Sequence, residues 1–259
     1  MAALAAGRDL LAVFGENAAA PTMPLTVEVG VSRLATFLIG VSLLLGVGLV
    51  AYPAQLRTYE TLTLDFRLNH VAVIGDSYTT GTNEGGLGAR SWPSRAWQVL
   101  SARGSRVSAD VAAEGRAGYA VTGDHGSIFE DLTARAVQSD DALVVFFGSR
   151  NDQGVDPGLL IEKTHAALDL ARRLAPAARL LVIGPPWPTA DVPPSMYLIR
   201  DILGGAAGAA GATFIDPIAE HWFVGRPDLI GADGVHPNDA GHQYMADKIA
   251  PLIRTQLST

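Results

Sequence analysis

Residues 71–81 constrain the fold more than any other stretch of the chain. They begin with the apolar run Val-Ala-Val-Ile, which is typical of a strand buried on both faces. At Gly75 the run changes abruptly to the small polar sequence Gly-Asp-Ser. A buried strand that ends this way brings the Ser77 hydroxyl to the carboxyl edge of a sheet, where ligands bind in open α/β folds. The alternative is an ordinary turn followed by a helix cap, which the same residue types also form.

Strand-like runs alternate with helical patterns from this stretch to the end of the chain. The predicted strands are residues 71–74, 107–112, 142–147, 179–183 and 212–215. The predicted helices are residues 94–102, 127–137, 158–174, 195–205 and 240–257. Strands separated by helices favour a parallel sheet with helices on both faces. We therefore predict an α/β domain of three layers, α/β/α, with a five-stranded parallel sheet over residues 68–259.

An uncharged apolar segment, residues 34–52, precedes this domain. A helix of that length reaches about 28 Å, close to the ~30 Å hydrocarbon core of a membrane. We predict a transmembrane anchor, with a cleaved signal sequence as the alternative. Residues 1–33 are then either a cytoplasmic segment or, in part, residues that precede the true start of the protein. Residues 53–67 are a linker. The domain is expected outside the cytoplasm, at the cell envelope, or secreted if the segment is cleaved.

The composition excludes several classes of function. The net charge of −7 and the absence of a Lys/Arg run argue against nucleic-acid binding. The chain has no cysteine, which excludes disulfides, thiol catalysis and cysteine-ligated zinc. Asp233 and His236 alone make too few metal ligands, so we expect neither a metal nor a cofactor. The oligomeric state is not indicated by any pattern in the sequence.

Three further polar segments lie after predicted strands or before the last predicted helix: residues 114–119, 146–152 and 233–238. Taken in order with Gly-Asp-Ser, they resemble the SGNH hydrolases, the GDSL-like esterase and lipase superfamily, in a membrane-anchored actinobacterial form. The four residues of the family's name correspond here to Ser77, Gly118, Asn151 and His236. The resemblance implies a flavodoxin-like sheet of strand order 2-1-3-4-5, whose switch point places residues 77 and 151 on neighbouring strand ends.

The resemblance also implies serine ester hydrolysis through an acyl-enzyme. Ser77 is then the nucleophile, His236 the base that takes its proton, and Asp233 the carboxylate that holds the imidazole tautomer. The oxyanion hole consists of the Ser77 N–H, the Gly118 N–H and the Asn151 side-chain amide. Gly115 is the alternative to Gly118, because alanine stands at position 113, where the family often has asparagine.

Five other residues near these motifs have expected roles that are less specific. Asp76 is a candidate supporting residue, and Asp152 either positions the Ser77 loop or caps the next helix. Arg150 either contacts substrate or forms a surface ion pair. Trp187 is a substrate platform or part of the core. Tyr78 stands where the family usually has leucine, and we expect its side chain to take no part in the chemistry.

The expected function is metal-independent hydrolysis of a short acyl ester, by preference an acetyl ester of carbohydrate or other envelope material. The interval from Ser77 to Gly118 leaves no room for a large lipase lid. The alternatives within acyl transfer are a lipase or thioesterase for longer chains and a transacylase that uses a glycan hydroxyl. An alternative of another class is an inactive binding module held at the membrane.

Overall fold

The computed structural model describes residues 68–258 and contains one five-stranded parallel sheet. The strands are Asn69–Gly75 (β1), Val107–Ala113 (β2), Asp141–Phe147 (β3), Arg179–Ile183 (β4) and Thr213–Ile215 (β5). Their order across the sheet is β2-β1-β3-β4-β5, and every neighbouring pair is parallel. The predicted α/β class, the number of strands and the strand order are confirmed.

Helices cover both faces of this sheet. In the described residues they are Ser77–Thr80 (α1), Trp92–Ala102 (α2), Phe129–Ala136 (α3), Pro157–Leu174 (α4), Pro194–Ala209 (α5) and Asp239–Ser258 (α6). One apolar core lies between the sheet and α3, α4 and α5. A second core lies between the opposite face and α2 and α6. The three predicted layers are therefore present, and the short helix α1 is the addition that the sequence pattern did not show.

The central strands have the burial that their sequences predict. Residues 71–74 of β1 and 143–147 of β3 are fully buried, and successive side chains enter opposite cores. In contrast, β2 lies at the edge of the sheet, and Val111 is 45% exposed there. An apolar run was predicted for β2, but an edge strand needs only one covered face.

Two helix starts differ from prediction by two residues because hydrogen bonds at the helix ends set them. Helix α2 begins at Trp92, two residues early, because Ser91 caps it by accepting a hydrogen bond from the Ser94 N–H. Helix α3 begins at Phe129, two residues late, where the Asp131 carboxylate accepts the Ile128 N–H over 3.0 Å.

The predicted membrane segment, residues 34–52, lies outside the residues that the structure describes, as do residues 1–33 and most of the predicted linker. Within residues 68–258, each helix is too short or too polar to cross a bilayer.

Candidate active site

Ser77 sits at the carboxyl end of β1, in the first turn of α1. The chain can turn there because Gly75 has no Cβ: a Cβ at that position would lie 2.2 Å from the Thr79 hydroxyl oxygen. Asp76 then caps α1, since its carboxylate accepts the Tyr78 N–H over 2.9 Å. The helix-cap interpretation of Gly-Asp-Ser is therefore correct for Asp76, and it is this cap that fixes the Ser77 hydroxyl at the sheet edge.

A second segment, the loop before α6, brings His236 and Asp233 to the Ser77 hydroxyl. His236 Nε2 lies 3.1 Å from Ser77 Oγ, and His236 Nδ1 lies 2.6 Å from Asp233 Oδ2. The other carboxylate oxygen, Asp233 Oδ1, accepts the backbone N–H groups of Val235 and His236 over 2.8 and 2.9 Å. These contacts form one continuous line of hydrogen-bonded groups from a hydroxyl through an imidazole to a carboxylate.

The hydrogen bonds keep the Asp233 carboxylate ionised. Its partial burial raises the pKa, but the hydrogen bonds from the His236 ring and from two backbone N–H groups outweigh that effect and hold the pKa below its ordinary value. An ionised carboxylate can accept a hydrogen bond from the Nδ1–H group of the imidazole. The Nε2 atom then carries no proton and can accept one from Ser77.

Tyr78 supports the His236 loop through contacts with Val235 and His236, a role that the sequence analysis did not predict. Its hydroxyl donates to the Val235 carbonyl over 2.5 Å, and its ring lies 5.9 Å from the His236 ring, between centroids. Burial raises the pKa of Tyr78 to about 12, so the hydroxyl stays protonated and remains a donor. The signal was the departure from the usual leucine, which adds one polar atom to a buried position.

Ser77 and His236 open onto a cleft of about 550 Å³, which Asn151 also lines. The lining comes from the segments that follow β1, β2 and β3 and from the loop before α6. Among the described residues that line it, Ala113 and Val235 carry the apolar side chains, and the other side chains are polar or charged. The cleft therefore suits a polar ligand better than a long hydrocarbon chain.

Three residues that line the cleft, Ser77, Gly115 and Asn151, carry N–H groups that could bind an oxyanion. In the part of the chain that the structure describes, the backbone N–H groups of Ser77 and Gly115 have no hydrogen-bond acceptor. Asn151 Nδ2 donates to the Ala117 carbonyl over 2.8 Å and lies 3.5 Å from a carboxylate oxygen of Asp76. The second of these contacts is long, so one amide N–H remains available to a developing oxyanion.

The structure does not support Gly118 as an oxyanion donor. Its N–H donates to the Val121 carbonyl over 2.8 Å, and its carbonyl accepts the Phe129 N–H over 2.8 Å. A Cβ at this position would lie 2.4 Å from a carboxylate oxygen of Asp152, which explains the glycine by packing. Of the two glycines considered for this role, Gly115, the alternative from the sequence, is the one that lines the cleft.

Asp152 holds the loop after β2 in place. Its buried carboxylate accepts the backbone N–H groups of Tyr119, Ala120 and Val121 over 2.9, 2.9 and 3.1 Å. Burial raises the pKa of Asp152, and these hydrogen bonds offset part of the increase. It does not cap the next helix, because Asp156 does so by accepting the Leu159 N–H. These contacts match neither predicted role, because they position the loop after β2 and not the Ser77 loop.

Replacing Asp152 with alanine is expected to lower the free energy of unfolding by about 3 kcal/mol, because three N–H groups, one buried and two partly buried, lose their acceptor. Asp152→Asn retains one acceptor oxygen and should lose less. Asp156→Ala, which removes an exposed helix cap, is the matched control and should cost about 1 kcal/mol. Urea denaturation followed by tryptophan fluorescence measures all three, and equal losses for the two alanine variants would contradict this role.

Asp76 is a buried carboxyl group whose pKa lies far above its ordinary value. Complete burial raises its pKa from 3.8 to about 7, while the Tyr78 N–H and the nearby Arg150 charge partly offset the increase. An acid with a higher pKa in the folded chain keeps a proton that the unfolded chain releases. Stability therefore falls as the pH rises from about 4 to about 7, and it is constant above that range.

Asp76→Asn, which is neutral and can still accept the Tyr78 N–H, should remove this pH dependence. The free energy of unfolding of the variant minus that of the native chain should increase by on the order of 4 kcal/mol as the pH rises from 4 to 8. Paired urea titrations at pH 4.5 and pH 8 measure the change. A stability difference between the two chains that stays constant with pH would show that Asp76 is ionised throughout.

Arg150 lines the cleft, whereas Trp187 does not. The Arg150 guanidinium carbon lies 4.5 Å from the centroid of the Trp187 ring. Trp187 packs against the core on the α3–α5 side, and its Nε1 donates to the Asp191 carbonyl over 2.9 Å. Within residues 68–258 no carboxylate forms an ion pair with Arg150, so the surface ion pair is not found. The platform predicted for Trp187 is covered by the Arg150 side chain.

Comparison with known proteins gives matches for most of the chain. Residues 73–244 match the GDSL-like lipase/acylhydrolase family. The chain is 69% identical over 229 residues to a GDSL lipase of Mycobacterium tuberculosis, which covers 87% of this chain and 99% of that protein.

Solved structures with the same fold include two esterases of low sequence identity. A family two carbohydrate esterase from Clostridium thermocellum, in complex with cellohexaose, matches at 18% identity with a TM-score of 0.58, over 73% of this chain and 65% of that one. This chain therefore spans less than two thirds of that esterase. The psychrotrophic esterase EstA from Pseudoalteromonas sp. matches at 16% identity with a TM-score of 0.58, over 74% of this chain and all of that one.

Proposed function

The chain belongs to the GDSL-like lipase/acylhydrolase family and is a carboxylic ester hydrolase, and from that premise we propose that it cleaves short acyl esters, above all acetyl esters of carbohydrate or other envelope material. The observation that carries the proposal is the hydrogen-bonded line from Ser77 Oγ through the His236 ring to Asp233. Its opening onto a polar cleft supports the choice of substrate.

The proposed reaction has two halves that use the same groups. In the first, Ser77 Oγ attacks the ester carbonyl carbon while His236 Nε2 takes the hydroxyl proton, and Asp233 stabilises the imidazolium. The N–H groups of Ser77 and Gly115 and the Asn151 amide bind the oxyanion. Collapse breaks the ester C–O bond, and His236 returns the proton to the leaving alcohol. In the second half, His236 deprotonates water, which attacks the acyl-enzyme and releases the carboxylic acid and the free serine.

Asn151→Ala is expected to lower kcat by about 10²–10³ with little change in KM, because its amide binds the carbonyl oxygen more strongly as negative charge develops. Steady-state kinetics with p-nitrophenyl acetate measure both constants. The Ala117 carbonyl also loses a donor in this variant, so the unfolding midpoint is measured alongside. A variant that is stable and retains full kcat would remove Asn151 from the proposed oxyanion hole.

The competing function is hydrolysis of longer acyl chains, which the name of the Mycobacterium tuberculosis relative favours. Rates for p-nitrophenyl esters from acetate to palmitate separate the two proposals. We expect kcat/KM to fall with acyl length, because only two of the described side chains that line the cleft, those of Ala113 and Val235, are apolar. A maximum at octanoate or beyond would favour the lipase.

Residues 34–52 remain our proposal for a membrane anchor, with the domain at the cell envelope. The support is the length and apolar character of the segment. Fractionation of cells that express the full chain, beside a variant without residues 1–52, tests the location. Recovery of the full chain in the membrane fraction and of the variant in the soluble fraction is expected, whereas recovery of both in the soluble fraction would end the proposal.

A further inference from the structure

We propose that Arg150, stacked on Trp187, closes the end of the cleft that receives the acyl group and thereby restricts the enzyme to short acyl chains. The inference rests on the proposed function, because it assigns the two parts of that substrate to two ends of one cleft. It makes Arg150 a specificity-determining residue, with Trp187 as the support that holds it.

The segments after β1 and β2 contribute more residues to the cleft lining than the segment after β3 does. On the side of β2, the segments after β1 and β2 contribute a row of polar side chains: Thr82, Asn83, Arg116, Asp124 and His125. On the side of β3, the lining consists of Asn151 and Arg150. Among the described residues, the segment between β4 and β5 contributes nothing to the lining. Arg150 therefore lies where the cleft ends on this side.

Two aromatic residues, Trp187 and Tyr78, lie near the guanidinium of Arg150. One face of the guanidinium lies 4.5 Å from the centroid of the Trp187 ring, and that ring is fixed by its hydrogen bond to the Asp191 carbonyl. The hydroxyl of Tyr78, which donates to the Val235 carbonyl, also lies near the guanidinium. The Nη1 atom of Arg150 is buried and has no hydrogen-bond partner in the described part of the chain. A guanidinium packed in this way keeps one position and bounds the cleft, unlike a mobile surface side chain.

An ester has two parts, and the two ends of the cleft suit different ones. The open end, with its hydroxyl, amide and charged side chains, suits an alcohol rich in hydroxyl groups. The other end lies next to Asn151, where the carbonyl oxygen binds in the proposed reaction, and the Arg150 side chain bounds it. A longer acyl chain would have to displace the guanidinium from Trp187 or place methylene groups against its charge.

The experiment compares the ratio of kcat/KM for p-nitrophenyl octanoate to that for p-nitrophenyl acetate. Arg150→Ala should raise this ratio at least about tenfold, which is the lower limit of what one methylene contributes in a pocket that accepts it. Trp187→Ala, which removes the support, should raise it in the same direction. Arg226→Ala is the matched control, because Arg226 also stacks on an aromatic ring, that of Tyr244 at 5.6 Å, but does not line the cleft. Its ratio should equal that of the native chain.

Three outcomes would overturn the inference. The first is an unchanged ratio in Arg150→Ala with normal acetate activity. The second is an equal fall in both rates in a variant with an unchanged unfolding midpoint, which would place Arg150 at the reacting carbonyl. The third is a change in kcat/KM that depends on the alcohol part of the ester, found by comparing methyl acetate with p-nitrophenyl acetate, and not on the length of the acyl chain. A native chain that already prefers octanoate would contradict the proposed short-acyl function itself, before any variant is compared.

Discussion

Replacing Ser77 with alanine is expected to lower the turnover of p-nitrophenyl acetate by about 10⁶-fold while the protein remains folded. The loss is large because the proposed reaction has no other nucleophile at the cleft that is hydrogen-bonded to the imidazole of His236. The Asp76 cap of α1 does not use the Ser77 hydroxyl, so the local backbone should persist. Purified variant and native chain are compared in the same assay, at saturating ester.

Ser91→Ala is the matched control for this experiment. Ser91 is also a buried serine at a helix start, where it caps α2, but it does not line the cleft. Its loss should lower the free energy of unfolding by about 1 kcal/mol and leave turnover within a few-fold of the native rate. Turnover in Ser77→Ala that matches the Ser91→Ala rate would exclude the covalent mechanism.

Asp233→Asn is expected to lower kcat by about 10⁴-fold, because it reverses the imidazole tautomer. Asp233 Oδ1 accepts two backbone N–H groups, and the carbonyl oxygen of asparagine must take that position to satisfy them. The asparagine NH₂ group then faces His236 Nδ1 as a donor. The imidazole proton moves to Nε2, which can no longer accept the proton of Ser77.

Asp216→Asn provides a control with similar geometry away from the cleft. One Asp216 oxygen accepts the N–H groups of Ile218 and Ala219, and the other pairs with Arg200. This variant should retain native kcat, whatever its effect on stability. An Asp233→Asn enzyme with more than a tenth of native kcat would show that the carboxylate does not determine the tautomer.

The sequence predicted the fold well because its strongest signals come from complete burial. Residues 71–74 and 143–147 are buried on both faces, and such strands consist of continuous apolar residues. The prediction was less accurate where a single hydrogen bond sets a boundary, as at Ser91.

The residues and contacts of the Ser77, His236 and Asp233 group were predicted, but the choice of glycine at the cleft was not. Ser77, His236 and Asp233 could be named because their roles require particular residue types, and the structure brings all three together. The choice between Gly115 and Gly118 could not be made, because it depends on which backbone N–H already has an acceptor. Such a fact belongs to the folded loop and leaves no trace in residue type or spacing.

Tyr78 and Arg150 show the same limit for side chains. Their neighbours, Val235 and Trp187, are distant along the chain, so neither contact could be inferred from sequence spacing. In each case the contact assigns a physical role: support of the imidazole loop for Tyr78, and the end of the cleft for Arg150.

The most direct test of the account is the intact mass of the protein after incubation with a fluorophosphonate, followed by peptide mapping of the label. We expect the addition of one phosphonyl group, carried by Ser77, and no labelling of Ser77→Ala or of protein unfolded beforehand. Stable attachment to a different residue, or an active enzyme that remains unlabelled, would contradict it.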